Sequence, residues 1–214
     1  IWSTDPTYQN TLWNLNGLAH KILLEADIYW SDASQDLGRF PLYEPLDDNS
    51  TEHFRRRFFF QTFGGVPGGT LPARFDERSF ALRSGLQRWT LSPNTEIVDD
   101  MAAAKLDVRQ RWQTKRGAPG NQRTIDWITL NAGGTIFPKP DRDNFGSLLG
   151  AVHYDFRWHL GDRFSVLSDG YADLFGDGLR SFTLGGILTR PDLGRLYLGF
   201  RSTEGPISSN VLNA

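Results

Sequence analysis

Between Val152 and Leu160 the chain alternates without a break. Val152, Tyr154, Phe156, Trp158 and Leu160 are apolar, and His153, Asp155, Arg157 and His159 stand between them. On a helix, at about 100° per residue, these four polar side chains would scatter around the axis. On a strand they share one face, because side chains alternate with period two. The segment is therefore a strand with two faces in two different surroundings.

The same period recurs along the chain. Ala102, Ala104, Leu106, Val108 and Trp112 alternate with Lys105, Asp107, Arg109, Arg111, Gln113 and Lys115, interrupted only by Gln110. Ile128, Leu130, Ala132 and Ile136 alternate with Thr129, Asn131, Gly133 and Thr135. Phe182, Leu184 and Leu188 oppose Ser181, Thr183 and Thr189, with Ile187 an exception. Leu196, Leu198 and Phe200 oppose Arg195, Tyr197 and Arg201. Weaker alternation runs over 18–30 and 78–90. Gly161-Asp162, Gly176-Asp177-Gly178 and the Pro191–Gly194 segment are turn chemistry that joins successive strands as antiparallel hairpins.

The expected fold is all-β, an antiparallel up-and-down barrel with about nine or ten strands visible, in one domain or fragment over 1–214. Long polar or Gly/Pro-rich connections fall at 31–52 and 64–77. Strands of about 12 residues are roughly twice the soluble norm. At a tilt near 40° they rise roughly 30 Å, the thickness of a bilayer's hydrocarbon core. The apolar parity mixes small residues with aromatics near strand ends, as a lipid-facing wall with an aromatic girdle does. A soluble sandwich would alternate too, but the unbroken series of hairpins favours a transmembrane barrel over a Greek key. Arg180 and Arg190 fall on the apolar parity near strand ends, where an interface can receive them. Arg55, Arg56 and Arg57 place charge on both faces, so that segment is expected to begin at the membrane surface.

Bulk composition narrows the function. The net charge of -2 argues against general nucleic-acid binding. No Cys is present, so disulfides and thiolate metal sites are excluded. No basic segment followed by an apolar one opens the chain, so it is expected to be unexported, a mature form or a fragment.

Local constellations give little chemistry. His153 and His159 lie about 20 Å apart along a strand, too far to share a metal. Asp169 and Asp173 lie about 13 Å apart, beyond paired-carboxylate spacing. Asp141 to Gly146 lacks the oxygen ligands that a calcium loop needs at its fifth and twelfth positions. Gly64–Thr70 lacks the phosphate-loop lysine. Asp47, Asp48 and Glu52 form an acidic loop cluster, read as solvated. No catalytic residue, metal site or cofactor is expected; a barrel enzyme would need a Ser/His or Asp/His pair converging from separate strands. Arg55, Arg56, Arg57, Lys105, Arg109, Arg111, Lys115 and Arg157 are the candidate contacts to lipid phosphates, or the charges of a wet luminal wall.

Four strings carry a family resemblance: QRWQTKRG (110–117), TIDWITLNAGGTIFPKPDRDNFG (124–146), GDRFSVLSDGYADLF (161–175) and LYLGFRSTEGPISSNVLNA (196–214). They resemble the outer-membrane barrel domain of the LPS-assembly protein LptD family, the organic solvent tolerance proteins. HKILLEADIYW and the loop 41–48 resemble it more faintly. The resemblance implies a large barrel in a Gram-negative-type outer membrane that moves lipopolysaccharide to the outer leaflet. It implies a periplasmic bridge as donor, a lipoprotein plug as partner, and a lateral gate between first and last strands. The chain departs from that family in lacking the periplasmic jellyroll, the tethering cysteines and many of the strands, so a missing remainder is expected. The alternative function is a passive porin-like channel.

Overall fold

A computed structural model of the chain describes residues 1–35, 37–39, 60–64, 99–118, 120–173, 178–204 and 208–214. Nine strands form one sheet in sequence order, every neighbour antiparallel. They are β1 (Trp2–Asn10), β2 (Leu15–Ser31), β3 (Met101–Arg116), β4 (Arg123–Ile136) and β5 (Leu149–His159). They continue as β6 (Phe164–Asp173), β7 (Gly178–Arg190), β8 (Gly194–Thr203) and β9 (Ser209–Asn213). The up-and-down order agrees with the hairpin reading. Among the described residues, sheet order runs from β1 to β9 and hydrogen bonds do not close it. The segments 55–57 and 78–90, and most of the two long connections, lie outside the described residues.

Register makes the local alternation a property of the whole sheet. Leu24, Val108, Ala132, Tyr154, Gly170 and Phe182 are successive partners from β2 to β7. One row along, Ile22, Gln110, Leu130, Phe156, Ser168, Leu184, Phe200 and Leu212 do the same out to β9. A slip of one residue in any pair would exchange the faces beyond it. The pairing keeps the apolar parity together, although Leu23, Leu167, Ile187 and Val211 fall on the polar one.

Register shifts adjust this frame between β3 and β4, between β4 and β5 (Gly134–Val152, then Ile136–Leu149) and between β6 and β7. Trp112 pairs with Ile128 but Gln113 pairs with Asp126, so Trp127 is the extra residue of β4. The bulge puts Asp126 on the polar face and lets Trp127 pack edge-on against Trp158, ring centroids 6.5 Å apart. A second bulge lies between Tyr171–Ser181 and Ala172–Leu179. It hands the apolar parity to Leu179 and leaves Arg180 buried, 8% exposed, where simple alternation placed it on the apolar face. Arg190 is exposed at the last residue of β7, as expected of a strand-end cation.

β1 was not read as a strand from its sequence. Pro6 and the polar residues WSTDPTYQN hide any alternation, and its register breaks between Asp5 and Gln9. Proline is tolerated there because β1 lies at the border of the sheet, where one side of the backbone has no partner strand among the described residues.

The only fully packed apolar cluster among the described residues lies at one end of the polar face. Met101, Ala103 and Phe137 are buried, and Tyr29 packs on them. Phe137 opens the β4–β5 connection (137–148), whose one-turn helix α1 (Pro140–Asp143) folds back over β3. Asp143 accepts the Ala102 N–H at 3.0 Å, and Arg142 holds Asp143 through Nε at 2.7 Å. Asn144 Nδ2 donates to the carbonyls of Ser147 and Leu149 at 2.7 and 3.1 Å. Thus Asp141–Gly146, read from sequence as a poor calcium loop, is a capping loop whose buried carboxylate serves the backbone.

Phe137→Ala removes a ring with no exposure, which costs about 3–5 kcal/mol at a packed site. The loop 137–148 should detach while β5 to β8 stay paired. Hydrogen exchange checks this: the Ala102 amide should lose protection and the Phe156 amide should keep it.

Candidate functional site

The polar face of β2 to β6 gathers most of the charges singled out in the sequence. Lys105 Nζ lies 3.0 Å from Asp107. Arg109 pairs diagonally with Glu25 on β2 at 2.8 Å. Arg111 meets Asp126 at 2.6 Å, and Gln113 donates to the same carboxylate at 2.7 Å. Three of the candidate cations are therefore already paired with three different carboxylates of the wall. Lys115 and Arg157 are exposed. Arg157 shares a register row with Thr129, Arg111 and Lys21. Lys21 was missed by the sequence reading; the alternation of 18–30 together with antiparallel register puts it directly opposite Arg111. Opposed like charges are unfavourable across a sheet, and Asp126 offsets this one. Arg55, Arg56 and Arg57 lie outside the described residues.

One contact crosses a whole strand. Asp107 on β3 and His153 on β5 are not neighbours; Gly133 on β4 stands between them in the register. Asp107 Oδ1 nevertheless lies 3.1 Å from His153 Nε2. The carboxylate fills the space in which a side chain at 133 would stand, since a Cβ built there would overlap Asp107. Beyond His153 the row continues to Tyr171, the two rings 6.4 Å apart. The side chains of Asp107 and His153 are 11% and 18% exposed, so water screens this pair less than the exposed pairs of the wall. The sequence signal was present but unreadable alone: Asp107, Gly133 and His153 share parity, and only register makes them collinear.

A Ser/His pair also forms, near the end of the polar face. His159 Nδ1 lies 2.6 Å from Ser165 Oγ, on directly paired residues of β5 and β6. A nucleophile of this kind needs a group that orients the imidazole. The nearby carboxylate, Asp126, has both oxygens engaged by Arg111 and Gln113. The geometry makes His159–Ser165 a cross-strand hydrogen bond of the wall.

The apolar face contrasts with this network. Leu24, Leu184, Leu198 and Leu212 are 63%, 46%, 57% and 84% exposed. Two sets of its polar groups are hydrogen-bonded among themselves. His20 Nε2 meets Gln110 Oε1 at 3.1 Å while its ring stacks on Trp112 at 4.4 Å. Tyr154 lies across Gly170, and its hydroxyl meets Ser168 at 2.9 Å; Ser168 donates onward to the Thr183 carbonyl. Comparison with family models, curated proteins and solved structures finds no match. Among the described residues no group of three or more acidic or histidine side chains is placed to hold a metal ion.

Gly133→Ala should expel the Asp107 carboxylate and break its contact with His153. A double-mutant cycle of Asp107→Asn and His153→Gln should give a coupling of about 0.5–3 kcal/mol by denaturant unfolding. The same cycle in a Gly133→Ala background should give none.

Proposed function

We propose that these strands are wall of a transmembrane β-barrel in a Gram-negative-type outer membrane, and that the barrel moves lipopolysaccharide to the outer leaflet. One observation carries the barrel reading: eight strands in register, β2 to β9, hold one parity of large, exposed apolar side chains against one parity rich in charges, several of them paired. In water such a face would be an aggregation surface far beyond what soluble monomers expose. In lipid it is the surface that an outer wall requires, and the other face becomes a wet lumen.

Dimensions and connections agree with this. On β3 the residue facing Trp30 is Ala102, and the one facing His20 is Trp112, ten positions on. At about 3.3 Å per residue and a tilt of about 40° that separation spans roughly 25 Å, the height of a lipid-facing band between aromatic girdles. Trp30 marks one end of the band, and Trp112, Trp127 and Trp158 the other. The connections 11–14, 117–122, 160–163 and 191–193 at the tryptophan-rich end are short. The opposite end has the two longest connections, 32–100 and 137–148, together with the short ones 174–177 and 204–208. Short turns on the periplasmic side and longer loops outside are the usual arrangement.

The cargo rests on the resemblance of 110–117, 124–146, 161–175 and 196–214 to the LPS-assembly barrel. On that reading Arg157, Lys115 and the row through Lys21 and Arg111 line the polar route, a periplasmic bridge supplies lipid, and a lipoprotein fills the lumen. The passive-channel reading keeps the same wall and needs no lipid donor.

Val108→Arg puts a charge in the middle of the lipid face and should cost about 2–4 kcal/mol of folding in bilayers. Urea titration in lipid vesicles measures it, and an unchanged midpoint would remove Val108 from the lipid face. For the cargo, depleting the full-length protein from cells should stop new lipopolysaccharide reaching the surface. Normal lipopolysaccharide export with reduced uptake of small solutes would instead favour the channel.

A further inference from the structure

We infer that Arg116, with the indoles of Trp127 and Trp158, forms a seat for a phosphate oxygen of an anionic lipid headgroup at the short-turn rim of the apolar face. The inference rests on the lipid-facing reading of that face.

Arg116 ends β3 and is only 4% exposed. A buried guanidinium is costly unless its charge and its N–H groups are met. Here they are met poorly. Nη1 lies 3.4 Å from Asp162, whose side chain is 64% exposed and so largely solvated. Nη2 reaches the carbonyl of His159 at 3.1 Å and that of Trp13 at 3.5 Å. Asp126 is engaged by Arg111 and Gln113.

Three donors in this cluster are buried with no acceptor among the described residues: Arg116 Nε, Trp127 Nε1 and Trp158 Nε1. Guanidinium and indole nitrogens donate only, so the three cannot satisfy one another. They are held together by packing. Trp158 precedes His159, whose carbonyl Arg116 holds; Trp13 lies 5.2 Å from Trp158, and Trp127 meets it edge-on. What the cluster lacks is an acceptor-only, negatively charged group, placed where an apolar surface meets water. A lipid phosphate is such a group, and indoles favour that boundary.

A second, independent observation points the same way. The turns and strand ends at this rim carry Lys115, Arg123, Arg163, Arg190 and Arg195 beside Arg116, against Asp162 and Asp192. A basic belt at the bilayer surface attracts anionic headgroups. Trp13 packs on Trp158 from the β1–β2 turn. That turn is held by Trp13 N–H to Asn10 Oδ1 at 3.1 Å and Asn14 N–H to the Thr11 carbonyl at 3.4 Å.

The test uses the full chain, labelled with nitrogen-15 and folded in neutral maltoside micelles. Trp127→Phe and Trp158→Phe assign their indole N–H resonances. Titration with short-chain phosphatidylglycerol should shift both resonances downfield with one saturation curve, and leave Trp112 unmoved. Arg116→Gln should weaken binding at least tenfold. Should that variant not fold, Trp158→Phe, which keeps an aromatic ring and loses one donor, should weaken it severalfold. No shift on adding the lipid overturns the proposal. An equal response to inorganic phosphate overturns the lipid assignment. Detergent-chain NOEs to Leu184 and Leu198 report separately on the lipid-facing reading, so the two failures are distinguishable.

Discussion

Register is the constraint on which everything else depends. Each strand from β2 to β9 is an amphipathic ribbon, and seven antiparallel pairings must align the ribbons in phase. Because the side-chain period is two, one misaligned pair would put leucines beside arginines across the remaining strands. The register shifts show how tightly this is kept. Outside β1, each lies near a strand end, at Trp127, beside Ile136 and at Arg180, where a change of phase disturbs only the last residues. The middle of the sheet, through Leu24, Val108, Ala132 and Tyr154, has none.

Each face then handles polarity in its own way. The charged face pairs cations with carboxylates along and across strands, so that Lys105, Arg109 and Arg111 each have an anionic partner. The apolar face carries few polar groups, and pairs several of them at close range, as in His20–Gln110 and Tyr154–Ser168–Thr183. A hydroxyl facing hydrocarbon is expensive unless its hydrogen bonds are made within the protein. The rim is the exception, where buried donors of Arg116, Trp127 and Trp158 find no acceptor among the described residues.

Much of the fold was legible in the sequence. The segments 152–160, 102–115 and 128–136 gave their strands because alternation is a local signal that large aromatics make strong. β1 was illegible because Pro6 and its polar neighbours carry no alternation. Arg180 was misplaced because a bulge is a property of two strands at once. The Asp107–His153 contact was hidden for a related reason. Its three members lie on three strands, and parity says that they share a face without saying that they share a row. The cations at 105, 109 and 111 were correctly grouped, but their partners Glu25 and Asp126 are cross-strand and emerge only with register.

The contact over Gly133 also bears on how this sheet can vary by descent. Positions 107, 133 and 153 lie far apart in the chain, yet one carboxylate occupies the room belonging to the middle residue. A side chain can be acquired at 133 only after Asp107 has shortened or left, and loss of Asp107 strips His153 of its acidic partner. The order of substitution is therefore restricted. In related chains these three columns should change together, and glycine at the middle column should accompany an acidic residue at the first.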